Sequence, residues 1–324
     1  MSYTKTAVLP VTPDEAFALI TQPERLRRWK TVSARVDLRA GGEYRWTVTP
    51  GHVAAGTYRE VDPGKRVVFG WGWEGNPDLP PDASIVTVTL EPTEGGTLVT
   101  LVHEGLTEDQ AAAHAEGWNH YFTRLEKAAA DGDAGSDEWA AAPEQLDHFS
   151  SAEATLAVLQ GVLRNLTTED RPKQTPCSEF DCHGLAEHLF GSLTGVGAMA
   201  GANVTDPQEG SLENRVAVMA AQAIEAWRNR GIEGMIPAAG GGEMPAEVGA
   251  SILSIEFLLH AWDFAQASGQ QLSVSDEVVA YVQPLADGII PGSRARGAFA
   301  NEVNPGVDAT PLERLVAFSG RTPS

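Results

Sequence analysis

Thr107-Glu108-Asp109-Gln110-Ala111-Ala112-Ala113-His114-Ala115-Glu116-Gly117-Trp118-Asn119-His120-Tyr121-Phe122-Thr123-Arg124-Leu125-Glu126-Lys127-Ala128-Ala129 reads as one long helix. Trp118, Tyr121, Phe122 and Leu125 recur along it at helical spacing and form an apolar stripe. Upstream, residues 1 to about 105 alternate with period two between turn signals at Gly41-Gly42, Asp62-Pro63-Gly64, Asn76-Pro77 and Glu94-Gly95-Gly96, which predicts a run of strands. Lys5 to Val11 reads as the first strand. In Thr12-Pro13-Asp14-Glu15, Thr12 caps a short helix from Asp14 to Ile20, Pro13 suits its first position and Glu15 completes a capping box. Pro23-Glu24 opens a second short helix ending near Trp29. A curved antiparallel sheet cannot bury its concave face alone. A long amphipathic helix laid across that face does so, and a cavity can remain between them.

Residues 3–128 resemble the START-like helix-grip superfamily, in the branch named for activators of a heat-shock chaperone ATPase. The carrying stretches are Thr12-Pro13-Asp14-Glu15-Ala16-Phe17, Pro23 to Trp29, Asp37-Leu38-Arg39-Ala40-Gly41-Gly42, Glu60-Val61-Asp62-Pro63, Val86 to Pro92, and His103-Glu104-Gly105-Leu106 with Gly117-Trp118. The resemblance implies a fold; its branch spans binders and chaperone cofactors, so it implies no single activity.

From about residue 147 the pattern turns helical. The intervening residues 131–146 are acidic, small and Gly-containing, as a flexible linker requires. The expected organisation is therefore α+β: a helix-grip domain at 1–130, the linker, and a mostly α domain at 147–324. A length of 324 residues suits two cores. The net charge of -21, from 44 acidic and 23 basic residues, repels phosphate backbones and anionic membranes, so neither nucleic acid nor a membrane is an expected partner. The first residues lack a signal-peptide pattern, and the expected location is cytoplasmic. Cys177 and Cys182 are too few for a disulfide framework or a four-thiolate zinc site.

The chemistry concentrates in Ser254-Ile255-Glu256-Phe257-Leu258-Leu259-His260-Ala261-Trp262-Asp263-Phe264-Ala265. Glu256 and His260 stand four apart on one face of a strongly apolar helix. Burying both is costly unless something pairs with them, and a divalent ion accepts both ligand types. His188, among Leu185, Leu189 and Phe190, is a second histidine on an apolar face. Either histidine alone reads as a core residue bonded to a carbonyl; the three together read as a metal site. His52, His103, His114, His120 and His148 have no companion at ligand spacing and read as surface or core-edge residues. His183 lies in the first turn of a helix capped by Asp181, where a small site with Cys177, Cys182 and His188 is the lesser reading.

Residues 147–323 are similar to the DinB-like four-helix-bundle superfamily, in the actinobacterial branch that includes mycothiol-dependent maleylpyruvate isomerase. Thr175-Pro176-Cys177-Ser178-Glu179-Phe180, Leu185-Ala186-Glu187-His188-Leu189, Glu256 to Asp263 and the tail Pro311 to Pro323 carry the likeness. It implies a zinc or nickel ion held by His188, Glu256 and His260, with mycothiol as co-substrate, and by analogy a homodimer. It does not extend to the isomerase's remaining substrate contacts, so the maleylpyruvate reaction is not implied. Asp263, three residues past His260, is the candidate catalytic residue: it either orients the imidazole or positions substrate, and the plain alternative is an exposed carboxylate. Cys177 reads as a buried small residue, with thiol exchange as its chemical alternative.

Three ligands leave a position open for a thiol or for water. The expected activity is thiol S-transfer or thiol-assisted isomerisation of a small organic electrophile, with metal-activated hydrolysis second. The competing class is a binding protein or sensor with a structural metal. Trp46, Trp71, Trp73 and Trp118 would then line a cavity for a small hydrophobic molecule, and the plain alternative is a filled core. A chaperone cofactor rests on the first resemblance alone.

Overall fold

A computed structural model describes residues 1–143, 145–238 and 241–323. The chain divides into two compact units, Met1–Asp137 and Glu138–Ser324.

The first unit follows the order β1 (Ser2–Leu9), α1 (Pro13–Thr21), α2 (Pro23–Leu26), β2 (Ser33–Val36), β3 (Glu43–Thr49), β4 (His52–Asp62), β5 (Arg66–Trp71), β6 (Ser84–Thr93), β7 (Gly96–Glu104) and α3 (Glu108–Asp131). The strands make one antiparallel sheet in the order β1-β7-β6-β5-β4-β3-β2. Register shifts between Thr47 and Thr49 and between Tyr58 and Glu60 bend β3 and β4, which supplies curvature. The first strand begins and ends earlier than its alternation suggested. Pairing with β7 runs from Ser2 opposite Glu104 to Leu9 opposite Thr97, and Pro10, having no N–H, cannot extend the ladder.

Helix starts were partly legible. Thr12 Oγ1 accepts from the Glu15 N–H, but the Glu15 carboxylate turns to Arg25 at 3.2 Å, so the expected capping box is only half made. The full box sits at α3, where Thr107 and Gln110 satisfy each other's backbone N–H groups. Gly132, at φ +87°, ends α3 in the left-handed conformation. Buried Trp118, Tyr121, Phe122 and Leu125 form the stripe that α3 contributes to the unit's core. The result is the helix-grip arrangement. Part of the segment read as a linker is bonded into this unit: the Ala134 N–H donates to the Arg28 carbonyl, and Arg124 donates to the carbonyls of Gly135 and Ser136. Glu144, also in that segment, lies outside the described residues.

The second unit contains α4 (Glu138–Ala141), α5 (His148–Arg164), α6 (Cys182–Met199), α7 (Leu212–Arg230), the two-stranded β8 (Met235–Pro237) and β9 (Glu243–Pro245), α8 (Ala246–Ser268), α9 (Asp276–Arg294) and α10 (Pro311–Phe318). Helix α5 packs on α7 and α8, and α6 packs on the same two; α9 packs on α8 and α10 on α9. Ile255, Leu258, Leu259 and Trp262 of α8 join Val278, Val282, Leu315 and Val316 in one cluster. Among the described residues α8 is the one helix long and apolar enough to cross a membrane, and 83% of its apolar window is buried within this unit, as a core helix requires.

Candidate metal centre and a buried aromatic cluster

Because α8 is buried on nearly every side, any polar group on it must find a partner inside the protein. Three such groups fall along its length. Glu256 and His260 are one turn apart, with Glu256 Oε2 3.4 Å from His260 Nε2. Across from them α6 brings His188, whose Nε2 is 3.7 Å from the same oxygen. One ligand atom from each residue lies within 4.8 Å of the others. The sequence-predicted triad is thus brought together from two helices.

At 3.4 and 3.7 Å these contacts are too long for hydrogen bonds. Glu256 Oε2 is buried and has no hydrogen-bond partner. Burial pushes the Glu256 carboxyl up, and the two imidazoles more than offset it, holding the group well below the usual carboxylate range. His260 is tied on its other nitrogen: Nδ1 donates to Asp263 Oδ2 at 3.0 Å, which turns the Nε2 lone pair toward Glu256. Burial pushes His260 down, but Asp263 and Glu256 push harder the other way, to about 9. Two acceptors facing each other at this distance need a proton or a cation between them. Ligand atoms 2.0–2.2 Å from a tetrahedral zinc stand roughly 3.4 Å apart, close to the two edges from Glu256 Oε2 at 3.4 and 3.7 Å. A carboxylate oxygen without a partner, two imidazole nitrogens and these edges fit a divalent ion.

Asp263 does not face solvent. It is fully buried, and Arg321 from the C-terminal tail holds it with two bonds of 2.7 Å, Nε to Oδ1 and Nη2 to Oδ2. The plain alternative of an exposed carboxylate is therefore excluded, and Asp263 Oδ2 is the partner of His260 Nδ1. Arg321 itself was not singled out from the sequence, since 58 residues separate it from Asp263. Phe180 stacks on His188 with ring centroids 5.0 Å apart and planes 26° off parallel, which restrains the most exposed imidazole of the three residues. Cys177 is half-buried and Cys182 buried, both as free thiols. Burial raises the pKa of each, so neither is an activated thiolate. His183 lies near Arg171 instead of joining the triad, and Asp181 caps α6 as read.

In the first unit the aromatic faces do turn inward. Trp46, Trp71 and Trp118 are almost completely buried, and Trp73 is half-buried beside Trp71 at 5.4 Å. Trp46 and Trp118 line a cavity of about 20 Å³, together with Lys30, Trp29, Leu101 and Phe122. That volume holds about one water, far below the roughly 300–1,000 Å³ of a pocket for a drug-sized molecule. Three residues that the sequence reading left aside gather here. His103, read as surface or core-edge, is fully buried, and its ring lies 4.8 Å from His114. His103 Nδ1 accepts from the Trp118 indole at 3.1 Å, and His114 Nε2 accepts from the Trp71 and Trp73 indoles at 3.1 and 3.3 Å. Both imidazoles are therefore neutral acceptors, and burial, followed by His114 and Lys30, pushes His103 down to about 3. Lys30 was invisible as a core residue because it follows Trp29 in a run rich in arginine.

The profile of the family described as Activator of Hsp90 ATPase homolog 1-like protein matches residues 10–130. Uncharacterized protein Rv0738 of Mycobacterium tuberculosis strain ATCC 25618 / H37Rv and Uncharacterized protein MT0763 of strain CDC 1551 / Oshkosh are each 30% identical over 168 residues, covering 50% of this chain and 90% of theirs. Half of this chain exceeds the 137 residues of the first unit, so the match reaches into the second. The solution structure of the AHSA1-like protein RHE_CH02687 (1-152) from Rhizobium etli is 37% identical, covering 45% of this chain and 89% of that one at a TM-score of 0.37. The Aha1 dimer from Colwellia psychrerythraea is 17% identical, covering 41% and 98% at a TM-score of 0.37. The chain belongs to the family of the two Mycobacterium tuberculosis proteins and carries an AHSA1-like helix-grip domain over residues 10–130.

Proposed function

We propose that the second unit is a divalent-metal site, zinc first and nickel second, and that the protein is a thiol-dependent S-transferase or isomerase acting on a small organic electrophile with mycothiol as the thiol. The observation that carries this reading is the buried, unpartnered Glu256 Oε2 facing the Nε2 atoms of His188 and His260. A bound ion would supply a Lewis-acid position that lowers the pKa of a thiol.

The chain's own residues prepare that position. Asp263, clamped by Arg321, keeps the proton of His260 on Nδ1 and so leaves Nε2 free as a ligand. Glu256 adds one negative charge, so a ligand set of one carboxylate and two neutral imidazoles leaves net positive charge on a divalent ion, which favours an anionic thiolate there. The His188 side chain is the most exposed of the three at 37%, against 18% for Glu256 and 6% for His260, so substrate approach is from the α6 side. Phe180 over His188 gives that approach an apolar wall.

The test is elemental analysis of the purified protein and of His188→Ala and His260→Ala, followed by thiol consumption with a panel of electrophiles. About one ion per chain in wild type, lost in both variants while the fold persists, together with metal-dependent loss of mycothiol, supports the reading. A metal-loaded protein that neither binds mycothiol nor consumes it rejects the transferase and leaves the metal as structural.

A further inference from the structure

Helix α6 carries four glycines, and the fold accounts for two of them. An added Cβ at Gly184 would stand 3.3 Å from Asp181 Oδ1 and from Phe180 Cδ1, and one at Gly197 would overlap Val204 Cγ2. Gly191 and Gly195 are different: both are exposed, and nothing lies within 4 Å of an added Cβ at either. Each forgoes helix stability that alanine would supply, with no packing gained in return. Open glycines also occur at Gly117 on α3 and Gly288 on α9. What sets the α6 pair apart is its place.

Gly191 and Gly195 stand three and seven residues beyond His188, so the three share one face of α6. Thr194 and Ala198, also exposed, widen that face, and Thr194 Oγ1 folds back onto the Phe190 carbonyl at 3.0 Å. No long side chain rises from the open side of α6 between His188 and Ala198, a stretch about 15 Å long at the helical rise. At the head of this low face stands an observation of another kind. Glu256 Oε2 is buried, has no hydrogen-bond partner and faces His188 Nε2 at 3.7 Å. His188 thus belongs both to the low face and to the site of an unsatisfied carboxylate. That shape suits a molecule whose head enters the triad and whose body lies on the helix.

The chemistry of the face selects the body. With no side chain over them, the backbone carbonyls beside the glycines keep a second lone pair for an outside donor. Glu187, four residues before Gly191, is exposed and adds a carboxylate, and α6 carries no lysine or arginine. A body rich in hydroxyl groups and free of negative charge fits this face. A thiol bearing carboxylates is repelled by it and by the net charge of -21. We propose that the face of α6 from His188 to Ala198 seats the neutral, polyhydroxylated body of the thiol co-substrate, with its sulfur at the triad. The proposal rests on the thiol reading above and assigns the surface that tells one thiol from another.

Calorimetric titration of the zinc-loaded, full-length protein tests it with three thiols. Mycothiol carries the hydroxyl-rich body, N-acetylcysteine amide keeps only the uncharged thiol head, and glutathione carries carboxylates. Wild type is expected to bind mycothiol at least about tenfold more tightly than either of the others. Gly191→Ala combined with Gly195→Ala is expected to keep its zinc by elemental analysis and to gain in denaturant midpoint. In that double variant the preference for mycothiol over the amide is expected to collapse toward one, because the two methyl groups lift the body off the helix. Glycines with a merely structural role would move the midpoint and leave the ratio. A folded, zinc-loaded double variant with the wild-type ratio overturns the proposal, as does a wild type that binds mycothiol no better than the amide or glutathione. Zinc-loaded wild type that binds none of the three rejects the thiol reading itself, a result distinct from an unchanged ratio.

Discussion

Arg321 and Asp263 form a two-bonded pair with both side chains buried, and the second oxygen of that carboxylate also receives the Nδ1 proton of His260. The C-terminal tail is therefore coupled through Asp263 to the orientation of His260 on α8. Asp263→Asn keeps the shape but weakens the acceptor for His260, and metal affinity is expected to fall about 10–100-fold. Arg321→Ala leaves a buried carboxylate without its main partner and should cost roughly 3–5 kcal/mol of stability. Metal titration and denaturant unfolding of the two variants check both statements. Wild-type affinity in Asp263→Asn would reduce the aspartate to a structural clamp.

If the triad holds the proposed ion, removing it lowers stability as well as any thiol-consuming activity. A ligand that binds only the folded chain stabilises it by about 4 kcal/mol at a thousand times its dissociation constant. Chelation should therefore lower the thermal midpoint of wild type but not of His188→Ala, whose triad is already broken. Scanning calorimetry with and without chelator makes the comparison; a drop in both proteins would place the ion elsewhere.

The juxtaposition of the three residues was legible because each contradicts its surroundings: Glu256, His260 and His188 are polar residues on apolar helices, and spacing alone put two of them on one face. The grip fold was legible because period-two alternation gives way to a helical stripe at Trp118. Arg321, Lys30, His103 and His114 were not legible, for one shared reason. Their partners come from sequence-distant elements: His103 meets Trp118 from β7 to α3, and Arg321 meets Asp263 from the tail to α8. A charged residue in a polar stretch gives no local sign that the fold will enclose it, whereas one in an apolar stretch does.

Lys30 should impose a pH slope on stability. Its folded pKa lies below 10.5, so over the intervening range the unfolded chain binds a proton that the folded chain does not. Stability then rises with pH through that window and levels off above 10.5, where both states are neutral. Lys30→Met fills similar space without a charge to desolvate. It should stabilise the protein by about 1–3 kcal/mol near neutrality, with the gain shrinking as pH approaches 10.5. Urea unfolding of both proteins at several pH values reads the difference; parallel curves would mean that Lys30 stays charged among its rings.

Helical glycines give the last test, because two of them should answer the same substitution with opposite signs. Gly191, on α6, has nothing within 4 Å of an added Cβ. Alanine there gains the full helix preference, about 0.5–1 kcal/mol. Gly249, on α8, lies against the fully buried Trp227: a Cβ would meet Trp227 Cη2 at 2.7 Å and Ile236 Cδ1 at 2.6 Å. Trp227 cannot retreat freely, since its indole N–H donates to the Val196 carbonyl at 3.0 Å. The same gain in helix preference is then outweighed by about 1–3 kcal/mol of overpacking, so Gly249→Ala should destabilise. Denaturant midpoints of the two variants decide it. Two stabilised proteins would mean that α7 and the β8 hairpin yield to α8, and that the close approach carrying Glu256 and His260 is less rigid than the packing around Trp227 requires.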